Sequence, residues 1–156
     1  MPNHIQTNYE IVSPIIKDSP NKINIIKKLS SHSIRQKKVL VVDDNTSNVF
    51  ILSSMLTKLS IQCDKAHNGL EAVKMYEQNG YALILMDINM PVMNGYEASK
   101  KIKEWANSKK REVSIVAVSA QNEPLNDSMS SNGIDEWVEK PVRFDKLSEI
   151  IGTKYN

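Results

Sequence analysis

Residues 82–95 read Ala-Leu-Ile-Leu-Met-Asp87-Ile-Asn-Met-Pro91-Val-Met-Asn-Gly95. The apolar run 82–86 stops at an acid, and a loop with a proline and an Asn-Gly pair follows. A strand that is apolar at every position is buried on both faces, which is the mark of a parallel sheet covered by helices. The same pattern recurs along the chain. Val39–Val42 stops at Asp43 and Asp44, the run 113–118 stops at Ser119-Ala120, and the run 134–139 stops at Lys140-Pro141. A shorter strand is predicted around 61–66.

Helical patterns separate these strands. Asn45 and Thr46 can cap a helix whose apolar positions are Val49, Leu52, Met55, Leu56 and Leu59. After the break at Asn68-Gly69 a second helix carries Leu70, Val73, Met75 and Tyr76, and Asn79-Gly80 ends it. A third runs through Ala98, Ile102 and Trp105, a polar helical stretch leads to Asn132-Gly133, and the last spans about 143–151. Five strand–helix units in alternation predict an α/β fold with a parallel sheet. In such sheets the functional site lies beyond the carboxyl ends of the strands.

With 156 residues the chain has room for one ordinary domain and some remainder. Its single cysteine, Cys63, excludes an internal disulfide framework and a multi-cysteine metal site, and is expected to be a buried strand residue. The apolar runs are far too short to cross a bilayer, and no segment has the form of a secretory signal. A reducing, cytoplasmic setting follows as the expectation.

The net charge of +2 is unevenly spread. Residues 1–38 hold seven basic and two acidic side chains, whereas residues 39–156 hold 13 basic and 16 acidic ones. Residues 1–37 therefore read as a basic linker or loosely ordered leader, with a short helix over 21–29. A basic leader can favour nucleic acid or an anionic membrane. Its charges are scattered with no aromatic platform between them, so a solvated linker without direct nucleic-acid contact is the expectation. His4, His32 and His67 are separated and lack partner motifs.

The strand ends carry the chemistry. Asp43 and Asp44 follow the first strand, Asp87 the third, Ser119 the fourth and Lys140 the fifth. Three nearby carboxylates repel one another and are costly to desolvate without a cation. All-oxygen ligation suits Mg²⁺ or Mn²⁺ and not zinc. A carboxylate nucleophile, a cation and two donors are what phosphoryl transfer needs.

Taken in order, Val39-Leu-Val-Val-Asp43-Asp44-Asn45, Leu85-Met-Asp87-Ile-Asn-Met-Pro91-Val-Met-Asn-Gly95, Val118-Ser119-Ala120 and Lys140-Pro141 resemble the response-regulator receiver domain of two-component phosphorelays. The resemblance covers about 38–152 and leaves 153–156 as a tail. It implies a flavodoxin-like (βα)5 fold with strand order 2-1-3-4-5. It implies that Asp87 is the phosphoacceptor, attacking a phosphohistidine, and that Asp43, Asp44, Asp87 and the backbone carbonyl of Asn89 hold Mg²⁺. Lys140 would pair with the phosphoryl oxygens and Ser119 would swing in to hydrogen-bond them. Trp137 stands at the switch position, where Phe or Tyr is usual, and Asn89 and Gln121 stand where receivers tune attack of water on the acyl phosphate.

Readings from other classes compete. A phosphatase of the haloacid-dehalogenase type also uses an Asp nucleophile and Mg²⁺, but it wants a second acid two residues on, where Asn89 stands. A flavin carrier needs a Gly-rich phosphate loop after the first strand, and Asp43-Asp44-Asn45-Thr46-Ser47-Asn48 is acidic and has no glycine. A degenerate, binding-only receiver is the remaining alternative. Little follows residue 151, which predicts no DNA-binding effector. The phrases around Asp43, Asp87 and Lys140 look most like the receiver of a hybrid sensor histidine kinase. The expected partner is then a sensor histidine kinase or a histidine phosphotransfer protein, docking near the first helix and the site loops. Output, including a phosphorylation-dependent dimer, would use the face of the fourth helix, fifth strand and last helix.

Overall fold

The computed structural model describes residues 38–122 and 128–155. The leader expected over 1–37, its short helix, His4 and His32 lie outside the described residues. The elements are β1 (Val39–Val42), α1 (Thr46–Lys58), β2 (Cys63–Ala66), α2 (Gly69–Asn79), β3 (Leu83–Asp87), α3 (Gly95–Ser108), β4 (Ser114–Ser119), α4 (Ser128–Ser131), β5 (Glu136–Glu139) and α5 (Phe144–Lys154). All strand pairs are parallel, in the order β2-β1-β3-β4-β5. Both the (βα)5 architecture and its strand order match the expectation.

The two sheet faces carry separate cores. Val39, Val41, Leu83, Leu85, Val116 and Val118 pack with Val49, Leu52 and Leu56 of α1 and with Leu147, Ile150 and Ile151 of α5. On the other face Leu40, Val42, Ile84, Met86 and Ile115 meet Ala72, Val73 and Tyr76 of α2 and Ala98, Ile102 and Ala106 of α3. Each fully buried Val, Leu or Ile contributes about 1.5–3 kcal/mol. On this second side the Trp105 ring meets Tyr76 edge-on, centroids 5.6 Å apart, with the cations of Lys109 and Arg111 beside it at 5.8 and 5.4 Å. Because the helices switch faces between β1 and β3, a crevice opens at the carboxyl ends of those strands.

Asparagines start the first three helices. The Asn45, Asn68 and Asn94 side chains accept from the amides of Ser47, Glu71 and Glu97, each at 2.9 Å. Such caps satisfy amides that the helix itself cannot.

The structure corrects several boundaries. Strand β2 begins at Cys63 instead of residue 61, and β5 at Glu136 instead of residue 134. Strand β4 is shifted by one residue, and α5 continues past Ile151 to Lys154. Strands β2 and β5 lie at the sheet edges and are only partly buried, so they are not apolar on both faces. Ile61 and Ile134 pack on the core from loops, which made them look like strand residues. For the same reason Cys63 is half-buried, not buried. Leu70 is exposed because it sits on the outer side of the first turn of α2.

Candidate functional site

Strands β1 and β3 are neighbours, and their in-register pairing of Val42 with Met86 brings the residues after them side by side. Ligand oxygens of Asp43, Asp44 and Asp87 all lie within 4.8 Å of one another. Asp43 and Asp87 are buried, at 1% and 5% exposure, and Asp44 is exposed. From the end of β5, Lys140 reaches across, its Nζ 2.7 Å from Asp43 Oδ2 and 3.1 Å from Asp87 Oδ1. The predicted convergence of three acids and one amine is therefore present.

Hydrogen bonds fix both buried acids. Oδ1 of Asp87 accepts from the amide of Ile88 at 2.9 Å and forms an ion pair with Lys140 at 3.1 Å. Oδ1 of Asp43 accepts from the amide of Asn45 at 2.9 Å, and the Asn48 side chain donates to Oδ1 and Oδ2 at 3.2 and 3.1 Å. Asn48 was not among the sequence candidates. Nothing in its type or spacing announces it; only the first turn of α1, lying over the end of β1, brings it there.

Burial pushes the Asp87 carboxyl above the ordinary carboxylate range, and the charge of Asp43 adds to this; Lys140 and the Ile88 amide offset it only in part. Burial also pulls the Lys140 ammonium down, but its bonds to Asp43 and Asp87 outweigh that and hold it above the usual lysine value. Three acidic side chains face one lysine here, so acidic groups are in excess. This all-oxygen donor set fits a hard divalent cation.

A glycine sets how closely the loop after β3 returns to the site. The amide of Gly95 donates to the Ile88 carbonyl at 2.9 Å. A Cβ on Gly95 would run into the carbonyl oxygen of Asp87 and the Cα of Ile88. Gly95→Ala should therefore cost about 1–3 kcal/mol through overpacking against rigid backbone. Urea unfolding checks this, and unchanged stability would show that the loop moves aside freely.

Ser119 is fully buried, and its Oγ accepts from the amide of Gln121 at 3.1 Å. The Gln121 carbonyl in turn accepts from Trp137 Nε1 at 3.1 Å. The half-buried Trp137 ring lies against Tyr96 of α3, centroids 6.4 Å apart, in a small apolar cluster with Ile88, Ala117, Ile134 and Met129. Thus Ser119, Gln121 and Trp137 form one hydrogen-bonded chain beside the acidic cluster. Tyr96, which anchors its far end, was also not anticipated. Asn89 is exposed, two residues beyond Asp87.

Residues 39–152 match the response regulator receiver domain family. Two-component response regulator 24 of Arabidopsis thaliana is 39% identical over 114 residues, covering 72% of this chain and 79% of that protein. Hybrid signal transduction histidine kinase G of Dictyostelium discoideum is 40% identical over 135 residues, which are 84% of this chain but 4% of the kinase. The chain therefore spans only a small part of the hybrid kinase that it matches. A co-crystal structure of the Saccharomyces cerevisiae histidine phosphotransfer signaling protein Ypd1 and the receiver domain of its downstream response regulator Ssk1 superposes with a TM-score of 0.70. That match is 33% identical and covers 77% of this chain and 90% of the other. Among the described residues no helix is long and apolar enough to cross a membrane.

Proposed function

Since the chain belongs to the response regulator receiver family, we propose that it is a phosphoacceptor of a His-Asp phosphorelay and that Asp87 takes the phosphoryl group. The observation that carries this reading is the buried Asp87 carboxylate, held by Lys140 inside a cluster of three acids at the strand ends. Among the described residues its hydrogen bond and its ion pair both fall on Oδ1, which leaves Oδ2 to form the new bond. Oδ2 attacks phosphorus, the P–N bond to the donor histidine breaks, and the imidazole leaves with its electron pair and takes up a proton. An aspartyl phosphate results.

Asp43, Asp44, Asp87 and the Asn89 carbonyl would hold Mg²⁺, which supplies neutralisation of the phosphoryl oxygens. Lys140 stabilises the charge that builds on those oxygens as the P–N bond breaks. Ser119 gives up the Gln121 amide and turns its hydroxyl to the phosphate. Asn89 and Gln121, both exposed beside the site, set how fast water removes the phosphoryl group.

The donor in this reading is a sensor histidine kinase or a histidine phosphotransfer protein in the cytoplasm. The co-crystallised yeast receiver supports the second, and the hybrid-kinase relative supports a place within such an assembly. Trp137 lies on β5 and links the site to the face built by α4, β5 and α5, where a switch-dependent contact or dimer would form.

Incubation with acetyl phosphate tests the reading. Intact mass should show a single added phosphoryl group with Mg²⁺ and none with EDTA. No adduct, together with no beryllofluoride binding, would make this a binding-only receiver.

A further inference from the structure

Asp43 differs from its two acidic neighbours in how fully it is held. Here Oδ1 accepts from the amide of Asn45 and from Asn48 Nδ2, while Oδ2 accepts from Asn48 Nδ2 and from Lys140 Nζ. Asn48 is the only one of these donors to bridge both oxygens. The others are a backbone amide fixed by the turn and a lysine that Asp43 shares with Asp87.

Residue 48 is the third of α1, and the helix is fixed to the sheet through Val49, Leu52 and Leu56. The Asn48 carboxamide is thus presented from a rigid element. It is neutral, so it orients the carboxylate without reducing the negative charge that a cation requires. A second ammonium there would cancel that charge, and an apolar side chain would leave the buried Asp43 held only by the Asn45 amide and Lys140.

We propose that Asn48 is a positioning residue for the divalent cation, acting through Asp43: its carboxamide bridges both oxygens of that carboxylate and keeps it facing the space shared with Asp44 and Asp87. This rests on the cation-dependent reading above. It adds a residue of α1 to the machinery and assigns α1 a role in tuning the cation site besides covering the sheet.

Mn²⁺ binding to the purified chain, followed by calorimetry or by the electron-spin signal of free Mn²⁺, tests this. Asn48→Leu, similar in size and without a donor, and Asn48→Ala should each weaken Mn²⁺ binding by about 10–100-fold, as is usual when a residue orienting a ligand is lost. Melting in EDTA should fall by several degrees, because the buried Asp43 loses two hydrogen bonds, but the core side of α1 is untouched and the variants should stay folded at the temperature of the binding assay. A second measurement separates positioning from a bulk effect. In an Asp43→Asn background the Asn48→Leu change should alter Mn²⁺ affinity by less than about twofold, since coupled residues are non-additive.

If wild type binds no Mn²⁺, the cation reading fails and this inference with it. If wild type binds and both Asn48 variants stay within about twofold of it, only the inference fails. Equal losses with and without the Asp43 carboxylate would also overturn it, because Asn48 would then not act through Asp43.

Discussion

An Asp87→Asn protein is expected to take up no phosphoryl group from acetyl phosphate with Mg²⁺, and to melt higher than wild type at neutral pH. The first part follows from chemistry: a carboxamide keeps the shape but lacks the nucleophilic oxygen. The second follows from burial. Asp87 is 5% exposed, and its carboxyl binds a proton more readily in the native protein than in the unfolded chain. Its charged form therefore weighs against the fold at neutral pH, and that burden lifts as pH falls through its native value. The advantage of Asp87→Asn should shrink accordingly on acidification. Melting scans at neutral and mildly acidic pH check this; for a domain of this size, each kcal/mol corresponds to about 4 °C. Phosphorylation retained in the variant would move the acceptor elsewhere, and a lower melting point at neutral pH would show that Lys140 depends on Asp87 more than the buried charge costs.

Lys140→Met should act in the opposite sense on stability and in the same sense on chemistry. Its ammonium is the shared partner of two buried acids, at 2.7 and 3.1 Å. Removing one partner of a buried pair costs about 3–5 kcal/mol, and the lower end applies because the Lys140 side chain keeps 20% of its exposure. Loss of a single donor to developing charge lowers the rate by about 100–1,000-fold, which is the expected drop in phosphoryl uptake at saturating Mg²⁺. The stability deficit should narrow in acid, where protonation of Asp87 removes part of the repulsion. Denaturant unfolding across pH and timed intact-mass measurements report the two effects. A variant as stable as wild type at neutral pH would mean that solvent, not Lys140, compensates the acids.

The interior strands were legible from sequence because β1 and β3 are apolar at every position up to their closing acids, and no helix or edge strand reads that way. The same rule failed at the edges. Ile134 is buried and Ile61 partly buried from loops next to short strands, and one-dimensional apolarity cannot separate a loop residue packed on the core from a strand residue. Asp43, Asp44, Asp87 and Lys140 could be read because each closes a strand or stands within two residues of its end, so topology gathers them. Asn48 and Tyr96 could not, since each reaches its contact through the tilt of a helix over the sheet. The state of Ser119 was hidden as well: its partner is a backbone amide two residues away, a choice set by the turn.

The two tryptophans have different surroundings, which their emission should report. Trp105 of α3 is clasped by Tyr76 of α2 and by Lys109 and Arg111, which follow α3. Trp137 hangs by its indole N–H from the Gln121 carbonyl, and the amide of that same residue holds Ser119. If Ser119 turns to the phosphoryl group as proposed, this chain loosens and the polarity around a single indole changes. The unlabelled protein would then carry its own optical gauge, with Trp105 as the internal standard.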